Sequence, residues 1–188
     1  MLDFLLQYVL HPMKVGAIAP SSKYLAKGML EGIDFNQCNC IVEYGPGTGV
    51  FTKEIIKRKK KETLFLVIEV NRDFCEKLIS LYSGQPNVHI IHGQAENVGN
   101  YLEQFNVKTV DYIISGLPFA SLPKEISTII LERTHHIIRR NGKFITFQYS
   151  LLKRNLFRDR FNIVECKKEF RNLPPAYILK MEKKVEVC

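Results

Sequence analysis

The stretch Val42-Glu43-Tyr44-Gly45-Pro46-Gly47-Thr48-Gly49 closes an apolar strand and opens a helix. Its three glycines stand at alternate positions, where they let the backbone turn tightly and approach a ligand that a Cβ would exclude. The helix that follows offers free N–H groups at its start. About twenty residues further on, a second apolar strand ends in Glu69, whose carboxylate suits both hydroxyls of a ribose. This arrangement predicts a bound nucleoside.

The dinucleotide fingerprint would need a further glycine at position 50, and this chain has Val50 there, which argues against nicotinamide and flavin cofactors. The remaining spacing, E-x-G-x-G-x-G, resembles the motif of S-adenosylmethionine methyltransferases. The resemblance implies S-adenosylmethionine as cofactor and S-adenosylhomocysteine as product. The alternative is that the glycines serve only a strand-to-helix turn.

Composition and charge narrow the class of protein. The 188 residues, 46% of them hydrophobic, suit a single domain over residues 1–188. A formal charge of +8 favours an anionic partner, either nucleic acid or a lipid surface. The five cysteines lack C-x-x-C spacing, which indicates neither a disulfide framework nor a zinc site, and we expect no metal. No apolar run reaches the roughly twenty residues that span a bilayer. We expect a cytoplasmic protein, either soluble or peripherally associated with a membrane, with no obligate protein partner.

Apolar periodicity predicts a doubly wound α/β fold with a Rossmann-like sheet of seven strands. The predicted strands are 40–44, 64–69, 88–92, 110–115 and 143–149, followed by two closing strands near 161–166 and 176–181 that pair antiparallel as a terminal hairpin. The predicted helices are 51–60, 72–82, 95–104 and 123–140, the last of them ended by Asn141-Gly142.

Residues 1–21 are predicted to form an amphipathic helix and an extended lead-in. Asp3, Gln7 and His11 recur every four residues and make one narrow polar stripe on an otherwise apolar helix. Pro12 ends this helix. Ser21 or Ser22 then caps a second helix that continues to about Leu30.

Two further segments follow strands and therefore fall on the carboxyl edge of the sheet, where ligands of open α/β folds bind. Gln94, with an amide donor and acceptor, suits an adenine edge, although it could equally cap a helix or lie in a solvated turn. Ser115-Gly116-Leu117-Pro118-Phe119 is the predicted reaction site: backbone carbonyls hold an amine, and Phe119 faces a cation. The alternative for this loop is a tight turn that packs on the core.

The segment 151–171 mixes basic and apolar residues. Its seven cations are Lys153, Arg154, Arg158, Arg160, Lys167, Lys168 and Arg171. Such a mixture suits an anionic membrane surface, and it also suits the phosphates of RNA. The third interpretation is a solvated hairpin at the sheet edge.

Together these segments resemble the bacterial phospholipid N-methyltransferases, a group of class I methyltransferases that methylate phosphatidylethanolamine. Pro12 to Ser22 with Leu25-Ala26, Ser115 to Phe119, and Asn172-Leu-Pro-Pro-Ala176 carry the resemblance. Two features depart from it, because the N-terminal helix is poor in basic residues and Gln94 stands where the family has aspartate.

The resemblance implies that the N-terminal helix docks on lipid and that Tyr8 contacts the head group. It also implies that Glu43 and the glycines hold the methionine part, Glu69 the ribose, and Gln94 with Ala95 the adenine. The full predicted cofactor set is Ser21, Glu43, Gly45, Pro46, Gly47, Thr48, Gly49, Glu69, Val70, Gln94, Ala95, Glu96 and Ser115; the predicted catalytic set is Tyr8 with Ser115 to Phe119.

The alternative is an rRNA adenine N6-methyltransferase, which is similar in Glu43 to Gly49, in Glu69 and in Leu117-Pro118-Phe119. Those enzymes hold the target amino group with an asparagine or aspartate at the place of Gly116, and they add a C-terminal RNA-binding domain for which we expect no room after Tyr149. A second alternative is the methylation of a soluble small-molecule amine.

Overall fold

The computed structural model describes residues 22–184. The predictions for residues 1–21, including the amphipathic helix, Tyr8 and Ser21, lie outside the described residues. The assignment of the whole chain to one domain stays a prediction.

A seven-stranded sheet in the order β3-β2-β1-β4-β5-β7-β6 forms the centre of the molecule. Its strands are β1 Cys40–Tyr44, β2 Leu64–Glu69, β3 Val88–His92, β4 Val110–Ser115, β5 Ile138–Gln148, β6 Phe161–Glu169 and β7 Ala176–Lys183. The first five strands run parallel, and β7 pairs antiparallel with both β5 and β6. The predicted fold, with its terminal hairpin, is confirmed.

Residues 22–184 contain six α-helices: α1 Lys23–Leu30, which precedes β1, and α2 Val50–Arg58, α3 Arg72–Tyr82, α4 Val98–Glu103, α5 Lys124–Ile137 and α6 Arg154–Arg158, which lie between strands. A 3₁₀ turn at Ala95–Asn97 precedes α4. Ser22 caps α1, because its Oγ accepts the Leu25 N–H at 3.1 Å. No helix within residues 22–184 is both long and apolar enough to cross a membrane.

Both faces of the central strands are buried, as expected for a parallel sheet covered by helices. Ile41 belongs to the cluster under α1, α2 and α3, whereas its neighbour Val42 belongs to the cluster under α4 and α5. Because every side chain of β1 is buried, the strand reads as one continuous apolar run interrupted only by Glu43.

The sequence prediction was wrong about the end of α5. The helix ends at Ile137, and Asn141-Gly142 lie inside β5 instead of terminating a helix that reaches Arg140. Ile138 is buried and pairs with Val110, and Arg139 forms a 2.8 Å salt bridge with Asp111. Because of these tertiary contacts, β5 begins five residues before the predicted start of the strand. The irregular pairing of β5 with Val110 and Tyr112 of β4 accommodates the extra length.

Candidate active site

The glycine loop between β1 and α2 stands at the carboxyl edge of the sheet. Gly45, Gly47 and Gly49 all adopt the left-handed conformation, with φ of 59°, 54° and 81°. The Gly45 N–H donates to Ile68 O at 2.9 Å, which ties the loop to β2. A Cβ built on Gly47 would meet nothing within 4 Å, so the loop leaves open space at its centre.

Glu69 at the end of β2 holds this loop in place. Its carboxylate accepts the Gly47 N–H at 3.0 Å and the Asn71 N–H at 2.8 Å, and the side chain is buried. Burial raises the pKa of Glu69, and the backbone hydrogen bonds oppose that rise. Each carboxylate oxygen keeps a second acceptor site, so hydroxyl donors can still be bound. The assignment of Glu69 to a ribose stays a prediction.

Glu43 is a fully buried carboxyl group on β1, one residue before the carboxyl end of the strand. One oxygen accepts the Thr52 hydroxyl at 2.8 Å, whereas Oε1 has no hydrogen-bond partner among the described residues. Burial raises the pKa of Glu43 to about 8, and the Glu69 carboxylate adds to the rise. A buried acceptor with an open site is costly unless a donor or cation approaches it.

These features fit S-adenosylmethionine. The ammonium and the ribose diol of the cofactor can donate hydrogen bonds to the unpartnered Glu43 oxygen and to the buried Glu69 carboxylate, and the open glycine loop leaves room for the methionine part. Glu43 and the residues from Gly45 to Gly49 could hold the methionine part, and Glu69 could hold the ribose.

The segment after β3 closes another side of the site. The Gly93 N–H donates to Glu69 O at 2.9 Å, so this turn is attached to the same strand end. Gln94 is half-buried and precedes the 3₁₀ turn, yet its side chain makes no capping hydrogen bond, which argues against the capping alternative. Ala95 is buried in the core, and two further predicted residues are half-buried: Glu96, which follows Ala95, and Val70, which follows Glu69. The adenine contact of Gln94 stays a prediction.

The loop after β4 lies directly against the glycine loop. The Gly116 N–H donates to Tyr44 O at 2.8 Å, and a Cβ built on Gly116 would collide with the Gly45 carbonyl oxygen. A Cβ on Gly45 would in turn lie 2.8 Å from Leu117 Cδ2. The structure therefore brings Ser115 to Phe119 beside Gly45 to Gly49, and the contact requires glycine at position 116.

The side chains of this loop serve mainly to shape it. The Ser115 hydroxyl is buried and accepts the Leu117 N–H at 3.2 Å. The Phe119 ring is fully buried and packs edge-on against Phe157, with centroids 5.2 Å apart, and against Phe144. This placement corrects the expectation that Phe119 faces a substrate cation, because its ring faces the aromatic core.

Gln148, at the end of β5, is a site residue that the sequence analysis missed. Its buried amide donates to Leu117 O at 3.2 Å and accepts the Ala120 N–H at 3.3 Å, so one side chain holds both ends of the post-β4 loop. The only signal in the sequence is a single polar residue that follows the buried run Phe144 to Phe147. That signal does not reveal which loop the amide binds.

The basic residues of 151–171 divide into two groups. Arg160, Lys167 and Arg171 pair with carboxylates, at 2.6, 2.9 and 3.0 Å. The other four form no salt bridge within residues 22–184; they are Lys153, Arg154, Arg158 and Lys168. Part of the segment is thus an ordinary ion-paired edge, and part carries unpaired positive charge. Across the described part of the chain, no group of three metal-ligating side chains comes together.

The chain is similar to known methyltransferases in sequence and in fold. A profile of the ribosomal RNA adenine dimethylase family matches residues 21–159. An ornithine lipid N-methyltransferase from Singulisphaera acidiphila is 29% identical over 92% of this chain and 91% of that protein. A probable ribosomal RNA small subunit methyltransferase A from Methanococcus aeolicus is 30% identical, and the alignment covers 69% of this chain but 48% of that protein.

Solved structures show the same fold at low sequence identity. A Burkholderia thailandensis 1,6-didemethyltoxoflavin N1-methyltransferase, solved with S-adenosylhomocysteine, gives a TM-score of 0.69 at 13% identity, covering 97% of this chain and 86% of that one. Aeropyrum pernix fibrillarin, solved with S-adenosylmethionine, gives 0.67 at 13% identity, covering 85% and 75%. The chain has the class I methyltransferase fold and is an S-adenosylmethionine-dependent methyltransferase. Because the family profile matches more than half of its length, the chain belongs to the ribosomal RNA adenine dimethylase family.

Proposed function

We propose that this enzyme transfers a methyl group from S-adenosylmethionine to the amine of a membrane lipid head group. The lone pair of the neutral amine forms a bond to the methyl carbon, the sulfur–methyl bond breaks to release S-adenosylhomocysteine, and the resulting ammonium gives a proton to water. The chemistry needs mainly alignment and the exclusion of water, which a close pair of loops can supply.

The observation that carries this proposal is the contact between Gly116 and Gly45. In the rRNA adenine dimethyltransferases that this chain resembles, an asparagine or aspartate stands at the place of Gly116, and its side chain holds the base amino group. Here any Cβ at that position meets a backbone carbonyl, which cannot move aside as a flexible side chain could. Position 116 therefore carries no side chain that could bind an adenine amine, although the chain belongs to the wider family.

The same loop offers another acceptor for an amine. Leu117 O receives the Gln148 amide and Pro118 O receives the Ser121 N–H, whereas Gly116 O accepts no hydrogen bond from residues 22–184. We assign this carbonyl to the substrate amine. A carbonyl can accept an N–H from a small primary amine while the nitrogen lone pair stays directed at the methyl group.

Sequence similarity supports a lipid acceptor. The ornithine lipid N-methyltransferase aligns along nearly the whole of both chains, whereas the rRNA relative from Methanococcus aeolicus is covered over 48% of its length. We therefore propose a lipid with a primary amine, either ornithine lipid or phosphatidylethanolamine, which the enzyme reaches from the cytoplasmic face of a membrane. RNA is the second candidate acceptor, because the matching family is described as ribosomal RNA adenine dimethylase.

The test is a set of parallel reactions with labelled S-adenosylmethionine. The acceptors are vesicles with phosphatidylethanolamine, vesicles with ornithine lipid, small-subunit rRNA, and free ornithine as a soluble amine. The proposal predicts label in one or both lipids and background label in rRNA and free ornithine. Label in rRNA alone, or in free ornithine at a rate equal to that of the lipid, would refute it.

A further inference from the structure

Three large apolar side chains are unusually exposed, and all three stand in loops. Leu152 is 93% exposed, Leu173 79% and Phe170 71%, and no other large hydrophobic side chain within residues 22–184 exceeds 56%. Isolated exposed apolar residues are normal on a protein surface. A group of them on one side of a molecule indicates an interaction surface.

The topology brings these three residues to one edge of the sheet. Gln148, at the end of β5, lies opposite Tyr177 at the start of β7, and Tyr177 lies opposite Lys168 near the end of β6. The loop with Leu152 and the turn with Phe170 and Leu173 therefore leave the sheet side by side. Because β1 and β4 are parallel to β5, this is also the edge at which the candidate active site opens.

Two cations that form no salt bridge within residues 22–184 adjoin the apolar residues. Lys153 follows Leu152 directly, and Lys168 lies 5.1 Å from the ring of Phe170. Arg171 stacks on Tyr24 at 4.4 Å and pairs with Glu169, so that the carboxylate nearest the turn is already neutralised. The edge thus combines apolar tips with positive charge and leaves no free carboxylate beside them in the turn.

The turn is held in a fixed position. Asn172 is buried between the two exposed residues; its Oδ1 accepts the Ser22 N–H at 3.0 Å, and its amide donates to Pro174 O at 2.8 Å. The first bond joins the turn to Ser22, the residue that caps α1, and the second holds the turn together. The apolar side chains on either side of Asn172 are therefore presented outward by an ordered turn.

We infer that Leu152, Phe170 and Leu173, with Lys153 and Lys168 around them, form a docking surface for an anionic lipid bilayer, which we call the edge surface. This inference rests on the proposed function, and it names the surface that brings the active site to its lipid acceptor. Apolar side chains enter the head-group and acyl boundary while neighbouring cations meet anionic lipids. Two of the three side chains are aliphatic and cannot stack on bases as single-stranded RNA binding would require.

The test measures binding of the full chain to vesicles without any methyl donor. The variant is Leu152→Ser/Phe170→Ser/Leu173→Ser, and the control is Leu81→Ser/Ile129→Ser/Val164→Ser, which changes three exposed apolar residues on α3, α5 and β6. Flotation with vesicles of phosphatidylglycerol and phosphatidylethanolamine should show at least tenfold weaker partitioning of the edge variant. The control should stay within about threefold of the wild type.

A second variant, Lys153→Gln/Lys168→Gln, tests the electrostatic part. It should weaken binding to the anionic vesicles and leave the much weaker binding to pure phosphatidylcholine vesicles unchanged. Wild-type binding by the edge variant, equal loss in both triple variants, or wild-type protein that binds an RNA oligonucleotide but no vesicle would overturn the inference. Equal loss would mean that general surface hydrophobicity drives binding.

The failure of the docking inference is distinguishable from the failure of the proposed function. With the lipid acceptor dispersed in detergent micelles, the edge variant should methylate at the wild-type rate, because the active site itself is untouched. If the wild-type protein floats through the edge surface yet methylates no lipid, the proposed acceptor is wrong and the docking surface stands.

Discussion

Glu69 provides the most direct way to perturb the cofactor site, because one carboxylate holds two backbone segments. It accepts the N–H groups of Gly47 and Asn71 at 3.0 and 2.8 Å and is 3% exposed. In Glu69→Ala both N–H groups lose their acceptor. Each hydrogen bond to a charged group contributes about 1.5–3 kcal/mol, and relief of the buried charge offsets part of that loss, so we expect unfolding to become about 2–4 kcal/mol easier.

Cofactor binding should weaken as well, because the glycine loop loses its support and the ribose loses its acceptor. We expect a loss of about 1–3 kcal/mol in binding free energy, which is roughly a 5- to 150-fold higher Kd. Glu69→Gln keeps one acceptor oxygen but turns an NH₂ toward the second N–H, so its effect should fall between the wild type and alanine.

The assay is isothermal titration with S-adenosylmethionine at a temperature where circular dichroism shows each variant folded. Glu76→Ala is the matched control, because Glu76 is an exposed carboxylate on the next helix and its one salt bridge within residues 22–184 is with Arg72. Its Kd should equal that of the wild type. A folded Glu69→Ala protein with wild-type affinity would show that Glu69 supports neither the glycine loop nor the ribose.

Three further predictions concern other buried groups. Gln148→Leu should lower the methyl transfer rate at least about tenfold and leave the cofactor Kd nearly unchanged. Gln148→Glu still accepts the Ala120 N–H, so its rate should fall less. A Gln148→Leu rate equal to that of the wild type would show that the loop needs no such support. Asp111→Asn should reduce the free energy of unfolding by about 2–3 kcal/mol in a denaturant titration, because it breaks the pair with Arg139, and cofactor Kd should not change. The pKa of Glu43 is raised to about 8 from 4.5, so the folded state retains a proton that the unfolded state loses, and stability falls as pH rises between those values. Relative to the wild type, Glu43→Gln should gain about 1.4 kcal/mol per pH unit across that window, and a pH-independent difference would contradict the assignment.

The central sheet could be predicted closely from the sequence, for a physical reason. Strands covered by helices on both faces form continuous apolar runs, and the runs 40–44, 64–69, 88–92 and 110–115 were predicted with the bounds that the structure has. The helix after β2 also matched, because Asn71 accepts the Phe74 N–H and caps it as a short polar side chain should.

The start of β5 could not be predicted in this way. Asn141-Gly142 resembles a helix stop, but the burial of Ile138 and the pairing of Arg139 with Asp111 extend the strand through it. Long-range contacts of this kind leave no local pattern. The short helix α6 was missed as well, since five residues carry too little periodicity.

The candidate site divides along the same line. The glycines and Glu69 can be recognised from the sequence, because the turn needs glycine at fixed spacing and the carboxylate ends an apolar strand. The structure brings them together, since Glu69 accepts the Gly47 N–H. The roles of Gln148 and Gly116 depend on contacts between separate loops, and those contacts appear only once the strand order and register are known. The position of Phe119 was mispredicted for the same reason, because its aromatic partners come from β5 and α6.

Competition in one tube decides between a lipid amine and an RNA base as the methyl acceptor. Purified full-length enzyme receives labelled S-adenosylmethionine together with small-subunit rRNA and vesicles containing phosphatidylethanolamine and ornithine lipid. Chloroform extraction then separates lipid from RNA, and the label in each phase is counted. A lipid acceptor requires label in the lipid phase and background in the RNA phase. Label confined to RNA would contradict it and would show that the enzyme binds an adenine amine without a side chain at position 116.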